Sequence, residues 1–543
     1  MTAVPSVFSP PISKVPGVAR IWTGLRGCSD ALALAHAIKA DQSLYLVVTP
    51  DTQTAVRLEQ EIRYFLEDQT DVLHFPDWET LPYDMFSPLS EIVSERLKCL
   101  VDLAGVKRGV LIAPVATLMQ RLSSREHVLG STFSLKPGDR LDLEGMRRRL
   151  ESVSYLCVQQ VMQHGEFAVR GSILDLFPMG SEHPFRVELF DEEIESIRTF
   201  DPETQRSSEK VSGISLFPAR EFPFDDAAIR RFRQKFRDLF PESAQGKILY
   251  QEVSKGVAPG GIDYYLPLFV DSTELLLDYL PSTTRIVLHG EVEAAARRFY
   301  EDTETRYQAR SSSLDRPPLA PELLFLPPDR LSERFNRHPQ ILLATDEESE
   351  SLSGERIHFA VRTLPEMTVR SNRHDLGHAE LTSFVGEQAG RSLFVAETRG
   401  HREELLRVLA QMGLRPTVFE SFSSFVRGSE RLGLVVAPID QGGWISVPDL
   451  AIIAEAQLSG ERVQQRRRRK ASTSPRIDQI LRNLEELAIG DPVVHQDHGV
   501  GRFMGLTKLV VGGIESEFLT LAYAGEDTLY VPVSSLHLIG RYS

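Results

Sequence analysis

The stretch Leu44-Tyr-Leu-Val-Val-Thr49 and the pattern that follows it over Thr52–Leu66 indicate the fold class of this chain. The first is a short apolar run rich in β-branched residues, as in a strand buried on both faces of a parallel sheet. The second repeats apolar residues at helical spacing. The same alternation of patterns returns at 72–75, 90–104 and 109–114. The sequence therefore predicts an α/β domain.

Beyond residue 130 the pattern changes to short segments of period two with polar turns between them, which is typical of an antiparallel sheet. These segments are 166–177, 185–190 and 194–200. Helical and strand patterns resume near residue 225. We predict that residues 131–217 form a β module inserted into the α/β domain, whose two parts are 1–130 and 218–348.

The rest of the chain divides by composition into four segments. We predict a linker, a second small α/β domain of unknown role, a basic linker with a helix, and a small β-barrel, at 349–374, 375–460, 461–488 and 489–543 respectively. The last segment holds apolar strand patterns separated by Gly512-Gly513 and Gly525-Glu-Asp527, which are turn sequences.

Charge and cysteine content exclude several classes of protein. The 543 residues carry 61 Lys and Arg against 76 Asp and Glu, a net charge of -15, which disfavours a surface that grips nucleic acid throughout. Three scattered cysteines fit a reducing cytosol and build neither a disulfide framework nor a zinc site. The first residues lack a secretion-signal pattern, and no apolar run is long enough to span a membrane. We expect a cytoplasmic protein without a membrane partner.

The best candidate for a nucleotide site is Gly24-Leu-Arg-Gly-Cys-Ser-Asp-Ala31, just before a predicted helix. A working phosphate loop needs G-x-x-x-x-G-K-[ST], so that backbone amides and a lysine hold the phosphates while a hydroxyl holds magnesium. Gly24 fits this pattern, but Ser29, Asp30 and Ala31 stand at the glycine, lysine and hydroxyl positions. Because a carboxylate repels a triphosphate, we predict a degenerate loop that does not bind ATP.

Other candidate sites have weaker patterns. The acidic pair that ends Ile341-Leu-Leu-Ala-Thr-Asp-Glu347 has no phosphate loop to serve, and His495 and His498 lack a third ligand, so we predict neither a metal site nor a catalytic residue. The basic run Arg466, Arg467, Arg468, Arg469 and Lys470 has two interpretations, a solvated linker or a contact with the DNA backbone. We favour the linker, because aromatic residues for base stacking are absent nearby.

Four long motifs resemble those of the bacterial transcription-repair coupling factors, the Mfd family. They are His74-Phe-Pro-Asp-Trp-Glu-Thr-Leu-Pro-Tyr-Asp84, Val169-Arg-Gly-Ser-Ile-Leu-Asp-Leu-Phe-Pro-Met-Gly-Ser181, Gly490-Asp-Pro-Val-Val-His495 with His498-Gly-Val-Gly-Arg502, and Tyr530-Val-Pro-Val-Ser-Ser-Leu-His-Leu-Ile539. The motifs follow the family's order and span nearly the whole chain. The resemblance implies a multidomain α/β fold. Its parts are a degenerate helicase-like α/β domain similar to UvrB with an inserted antiparallel β module, a second small α/β domain, and a C-terminal SH3/Tudor-like β-barrel.

The resemblance also implies that the inserted module binds the damage-recognition ATPase UvrA through Arg170, Arg186 and Phe190. Two arginines on neighbouring strand segments beside an aromatic residue have the usual composition of an interface hot spot. The alternative is that Phe190 is a core residue and that both arginines are solvated strand residues.

By the same resemblance, the terminal barrel is shared with the CarD family of transcription regulators and binds the RNA polymerase β subunit through Leu509. An apolar residue just before the Gly512-Gly513 turn fits strand augmentation. The alternative is a core position in the barrel, since Leu509 and Val511 share one face of their strand.

We therefore predict an adaptor for transcription-coupled nucleotide excision repair that links RNA polymerase stalled at DNA lesions to UvrA. We expect a monomer without enzymatic activity or a cofactor. In the family, the DNA translocase motor that uses ATP and magnesium, and the domain that masks the UvrA surface, fall beyond Ser543, so DNA contact is expected through the full-length parent. The alternatives are an ATP-binding repair module and a module that binds DNA nonspecifically.

Overall fold

The computed structural model describes residues 5–67, 70–241, 247–311, 313, 315–365, 367, 376–388, 390–459, 492–495, 499–511, 514–523, 528–532 and 539–541. They belong to two compact units, 1–464 and 465–543, and each unit is described by itself. The basic run 466–470 and the rest of the predicted segment 461–488 lie outside the described residues.

The first part of the chain alternates strands and helices. Its elements are β1 (Ala19–Thr23), α1 (Ser29–Ala40), β2 (Leu44–Thr49), α2 (Thr52–Leu66), β3 (Val72–His74), α3 (Ser90–Leu103), β4 (Gly109–Pro114), α4 (Val115–Met119), β5 (Arg121–Leu122) and α5 (Arg125–Gly130). Every residue of β2 and β4 is buried, as their apolar sequences predict. Helix α2 begins where the Asp51 side chain accepts a hydrogen bond from the Thr54 amide.

A β module follows. Its elements are β6 (Phe133–Leu135), α6 (Leu143–Ser152), β7 (Leu156–Cys157), β8 (Glu166–Arg170), β9 (Ile173–Leu176), β10 (Phe185–Phe190), β11 (Glu193–Phe200), β12 (Ser207–Lys210) and β13 (Ile214–Leu216). Strands β7 to β12 form one sheet in sequence order, antiparallel except between β7 and β8. Strands β6 and β13 pair with each other, so the chain enters and leaves the module at the same place.

The chain then returns to the α/β domain. Its elements are α7 (Asp226–Leu239), α8 (Ile248–Ser254), α9 (Leu266–Phe269), β14 (Glu274–Leu275), β15 (Arg285–His289), α10 (Val292–Arg310), α11 (Pro321–Leu324), α12 (Pro328–Phe335), β16 (Gln340–Leu343), α13 (Asp346–Ser349) and β17 (Glu355–His358), with single 3-10 turns at Ile262–Tyr265 and Leu276–Tyr279.

Strands from both parts build one seven-stranded parallel sheet in the order β17-β1-β16-β15-β2-β4-β3. Strands β15 and β16 follow the module in sequence but lie between β1 and β2 in the sheet. The module therefore interrupts this α/β domain in sequence. Helices α1 and α2 pack on one face of the sheet, and α3 and α10 contribute to the core on the other. This arrangement confirms the predicted multidomain α/β class and is consistent with a helicase-like fold.

A second α/β domain follows. Its elements are β18 (Val361–Arg362), α14 (Leu376–Ser383), a π-helical turn (Phe384–Gln388), β19 (Arg391–Ala396), α15 (Arg399–Gln411), β20 (Thr417–Val418), α16 (Phe422–Arg427), β21 (Leu432–Val436), β22 (Gly443–Ile445), β23 (Leu450–Ala454) and α17 (Glu455–Ser459). The strand order is β18-β22-β23-β19-β21-β20. Side chains of this domain share one hydrophobic core with α1 and α2, so the two α/β domains are packed directly together.

Two short strands lie within the predicted linker 349–374. Strand β17 pairs with β1 at the edge of the first sheet, and β18 pairs with β22 of the second. Alternate residues Ile357, Phe359 and Val361 are buried. This period of two is short and flanked by polar residues, so the polar composition of the segment concealed it.

Residues 465–543 contain a separate antiparallel sheet. Its strands are β24 (Pro492–His495), β25 (Gly499–Val511), β26 (Ile514–Ala522), β27 (Thr528–Pro532) and β28 (Ile539–Arg541), in the order β27-β26-β25-β24-β28. In sequence, the predicted turn positions 512–513 fall between β25 and β26, and 525–527 fall between β26 and β27. A register shift between Phe503 and Gly505 bends β25, where Gly505 has a φ of 110° that favours glycine.

Candidate functional site

The degenerate phosphate loop lies between β1 and α1, at the carboxyl edge of the parallel sheet, where α/β proteins commonly bind phosphates. Gly24 and Gly27 have φ values of 77° and 56°, which favour glycine. A Cβ on Gly24 would lie 2.3 Å from the Phe359 carbonyl oxygen, and one on Gly27 would lie 2.2 Å from that of Gly442. Backbone from two other segments therefore covers the loop closely.

Backbone of the second α/β domain contacts this loop directly. The Cys28 amide donates a hydrogen bond of 2.8 Å to the carbonyl oxygen of Gln441. The next residue, Gly442, is fixed in turn, since its amide donates to the Gln457 side chain at 2.9 Å. In a working phosphate loop such amides bind phosphate oxygens. Here a peptide carbonyl of the same chain accepts the hydrogen bond.

Ionisable side chains surround Asp30, which lies at the start of α1. Arg57 lies 2.8 Å from Asp30 and 2.7 Å from Glu61, and the His289 Nε2 lies 2.8 Å from Asp30. Burial alone would raise the pKa of Asp30, but Arg57 and His289 outweigh burial and hold that pKa well below its usual value. Asp30 therefore stays charged and is neutralised internally. The sequence predicted the carboxylate but not its partners.

Glu61 has the opposite shift. Burial, with help from the nearby carboxylates of Asp30 and Asp440, raises the pKa of Glu61 to about 8, although Arg57 opposes the shift. An acid with a raised folded-state pKa stabilises the fold while it is protonated. That contribution is complete below the unfolded pKa and is lost as the pH rises through the folded-state pKa.

Glu61→Gln should remove this pH dependence. The amide keeps a hydrogen-bond acceptor for Arg57 and cannot ionise. We expect the unaltered chain to lose stability between about pH 4.5 and pH 8, by up to roughly 1.4 kcal/mol per pH unit, and the variant to lose much less. Urea midpoints measured across this range test the prediction. Glu151→Gln, at an exposed glutamate, is the control, and equal slopes for the unaltered and Glu61→Gln chains would contradict the assignment.

The acidic pair after β16, Asp346 and Glu347, lies in the first turn of α13. Thr345 caps α13 by accepting a hydrogen bond from the Glu348 amide, and Asp346 contacts His358 at 3.2 Å. In the described ranges, no group of three or more His, Cys, Asp and Glu side chains is placed to hold a metal ion. Nor does any described helix have the length and apolar content needed to cross a membrane.

The outer face of the β module brings together two of the predicted site residues. Asp175 on β9 is 1% exposed and lies directly opposite Arg186 on β10. Arg186 donates to both carboxylate oxygens of Asp175, at 2.7 Å and 2.9 Å. The hydrogen bond to Asp175 is the first cause of a raised pKa of Arg186. Arg170 on β8 lies 3.7 Å from the same carboxylate, beyond hydrogen-bond distance.

This geometry corrects two expectations. Strand β9 separates the strands of Arg170 and Arg186, so these strands are not adjacent, and Asp175 links the two arginines. The alternative that both arginines are solvated is wrong for Arg186, whose side chain is only 17% exposed, while Arg170 is 48% exposed. A lone acid within the apolar run 173–177 was the sequence signal for Asp175, which sequence reasoning missed.

Phe190 ends β10 on the same face of the strand as Arg186, four residues away. It is 77% exposed, whereas Leu189 beside it is buried in the core. The alternative that Phe190 is a core residue is therefore wrong. An aromatic side chain displayed at the end of a hairpin, on the face that carries Arg170, is available to a partner.

The predicted polymerase contact falls on the C-terminal sheet. Leu509 lies in β25, opposite Ser516 of β26. The Leu509 side chain, the Gly512-Gly513 turn and His498 lie outside what the structure describes.

Comparison with known families matches three separate parts of the chain. The model of the UvrB interaction domain matches residues 133–222, that of the MFD D3 domain matches 384–458, and that of the CarD-like/TRCF RID domain matches 487–543. These ranges overlap the inserted module, the second α/β domain and the C-terminal sheet.

Whole-chain comparison finds proteins named transcription-repair-coupling factor. The one from Haemophilus influenzae is 44% identical over 540 residues, which cover 98% of this chain and 46% of that protein. The one from Escherichia coli is 41% identical over 97% of this chain and 45% of its own length, and the one from Bacillus subtilis is 26% identical over 96% and 45%. The chain thus spans about half the length of the curated relatives it matches.

Proposed function

Because the chain belongs to the transcription-repair-coupling factor family, we propose that it is an adaptor, which links RNA polymerase stalled at a DNA lesion to UvrA in nucleotide excision repair. The inserted module, 131–217, binds UvrA, and the terminal unit, 489–543, binds the polymerase β subunit. The degenerate α/β domain, 1–130 with 218–348, and the second domain, 375–460, hold these surfaces. We propose that the adaptor acts in the cytoplasm.

One observation carries the UvrA half of the proposal. Phe190 is exposed at the end of the β10–β11 hairpin, and Arg170 is half-exposed on the same face of the module. An aromatic anchor beside a guanidinium group is the composition that dominates the energy of protein interfaces. The face is built around Asp175 and Arg186, so the contact residues are held in place before the partner arrives.

The polymerase half rests on the C-terminal unit. We propose that its five antiparallel strands close into an SH3/Tudor-like barrel and that Leu509, on the long strand β25, contacts the β subunit. The basic run 466–470 acts as a linker ahead of this barrel.

We propose that these 543 residues do not bind ATP. The candidate phosphate loop carries Asp30, which forms an ion pair with Arg57 and a hydrogen bond with His289, and its Cys28 amide donates to the Gln441 carbonyl oxygen. An ATP-dependent translocase motor is proposed only for full-length members of the family. A titration of the chain with ATP and magnesium should therefore give no binding.

Binding of the chain to UvrA and to the isolated polymerase β subunit, measured separately, tests the adaptor proposal. Both interactions are expected, and each should persist when the other partner is added, because they use different units of the chain. Failure of the chain to bind either protein would refute the adaptor.

Leu509→Arg should abolish binding to the polymerase β subunit. A charged side chain at an apolar contact is desolvated without a partner, which costs several kcal/mol. Met504→Arg is the matched control, since Met504 lies on the same strand and is 48% exposed. Circular dichroism should be unchanged for both variants. Retained polymerase binding by a folded Leu509→Arg chain would remove Leu509 from the interface.

A further inference from the structure

The guanidinium group of Arg186 is almost fully engaged inside the module. Besides its two hydrogen bonds to Asp175, its Nη1 donates to the Gln205 carbonyl oxygen at 3.3 Å and to the Ser207 hydroxyl at 3.2 Å. Four of its five N–H groups therefore have partners within the chain. The guanidinium also lies 5.2 Å from the centre of the Phe200 ring. These contacts tie β10 to β9 and β12 and leave little of Arg186 for another protein.

Arg170 is in the opposite situation. It shares the Asp175 carboxylate with Arg186 but lies 3.7 Å from it, and 48% of its side chain is exposed. Asp175 is 1% exposed, so its charge cannot be compensated by water. If Arg186 released the Asp175 carboxylate, Arg170 would be near enough to bind it.

We propose that Arg186 is a positioning residue, which saturates Asp175 and thereby leaves Arg170 available to UvrA. Arg170 and Phe190 then touch the partner. This inference rests on the proposed function and divides the roles of the three residues within it. Two guanidinium groups share the buried carboxylate of Asp175, and the other negative charge near Arg186 is that of Glu188 on the same strand. The partner surface that fits this site has a carboxylate for Arg170 next to an apolar pocket for Phe190.

A rescue experiment separates positioning from direct contact. Glutamine at position 186 places its side-chain nitrogen where arginine has Nε, so one hydrogen bond to residue 175 survives in Arg186→Gln. The Asp175 carboxylate loses its second donor, however, and should draw Arg170 onto itself. We expect UvrA binding to weaken at least about tenfold, as in Arg170→Gln, because the partner's carboxylate loses its arginine.

Adding Asp175→Asn should restore binding. A neutral amide at position 175 has no charge with which to capture Arg170, and it can still accept a hydrogen bond from the glutamine. The double variant Asp175→Asn with Arg186→Gln is expected to bind UvrA within about threefold of the unaltered chain, although it lacks Arg186. The triple variant that also carries Arg170→Gln should be weak again.

The remaining outcomes decide against the inference. If the double variant folds, by thermal unfolding, and binds as weakly as Arg186→Gln, then Arg186 itself touches UvrA. If Arg186→Gln binds as well as the unaltered chain, then Arg186 neither positions nor contacts. Arg147→Gln is the charge control, since α6 packs behind the sheet through Met146 and Leu150 and Arg147 is exposed. If the unaltered chain does not bind UvrA, the proposed function fails first, and this inference fails with it.

Discussion

Phe190→Ala should weaken binding of the chain to UvrA by about thirtyfold or more, which corresponds to the loss of roughly 2 kcal/mol that defines a hot-spot residue. The side chain is 77% exposed in the chain alone, so its burial against a partner is a gain made entirely on binding. For the same reason, its removal should leave the unfolding temperature unchanged. Isothermal titration against UvrA and a thermal melt measure the two effects.

A matched control lies on β7, at one edge of the same sheet. Leu156 on β7 is 62% exposed, and Leu156→Ala removes a comparable apolar group from the module. We expect this variant to bind UvrA within about twofold of the unaltered chain. A loss as large as that of Phe190→Ala would mean that apolar exposure in general, and not the end of β10, governs binding. An unchanged affinity for Phe190→Ala would exclude it from the contact.

The α/β architecture was predictable because its elements are written in local sequence. The apolar run of β2 and the helical spacing of α2 each fit one type of element, and the change to period two after residue 130 marked the inserted sheet. Short edge strands were not predictable in this way. In β17 and β18 few residues are apolar, and their pairing with β1 and β22 depends on segments distant in sequence.

In the candidate sites too, features with a local sequence pattern were predictable, and contacts between distant segments were not. The prediction that the loop does not bind a triphosphate follows from Asp30 and Ala31 alone, because phosphate binding has a strict local pattern. The hydrogen bond from the Cys28 amide to Gln441 could not be predicted, since Gln441 lies more than four hundred residues further along the chain and its backbone carbonyl has no sequence signature. The exposure of Phe190 was ambiguous for another reason. Hydrophobicity favours a core position, whereas strand alternation with Arg186 favours the outer face, and in the structure alternation prevails.

Arg96→Met should strongly destabilise the fold. Arg96 on α3 is fully buried and donates to both oxygens of Glu221, at 2.6 Å and 3.1 Å, and to the Pro76 carbonyl oxygen. Its guanidinium stacks 4.1 Å from the centre of the Phe75 ring. Methionine fills the volume but leaves the Glu221 carboxylate buried and unpaired except for the Trp78 indole N–H. We expect a loss of roughly 3–5 kcal/mol in the free energy of unfolding.

The paired variant Arg96→Met with Glu221→Met distinguishes charge burial from loss of packing. Replacing both partners of a buried ion pair with apolar residues of similar size is commonly neutral or stabilising. We expect most of the lost stability to return, as measured by urea unfolding and by hydrogen exchange around Trp78. Failure of the double variant to recover would show that other contacts matter more than the charge pair: the hydrogen bond to Pro76, the stacking on Phe75, or the Trp78 indole N–H that loses Glu221 as its acceptor. Glu221 follows the last strand of the inserted module, and Arg96 belongs to the α/β domain, so this ion pair joins the inserted module to the α/β domain. Arg96→Met should therefore weaken UvrA binding indirectly at temperatures near its unfolding transition, and the double variant should restore it, whereas Phe190→Ala weakens binding at every temperature.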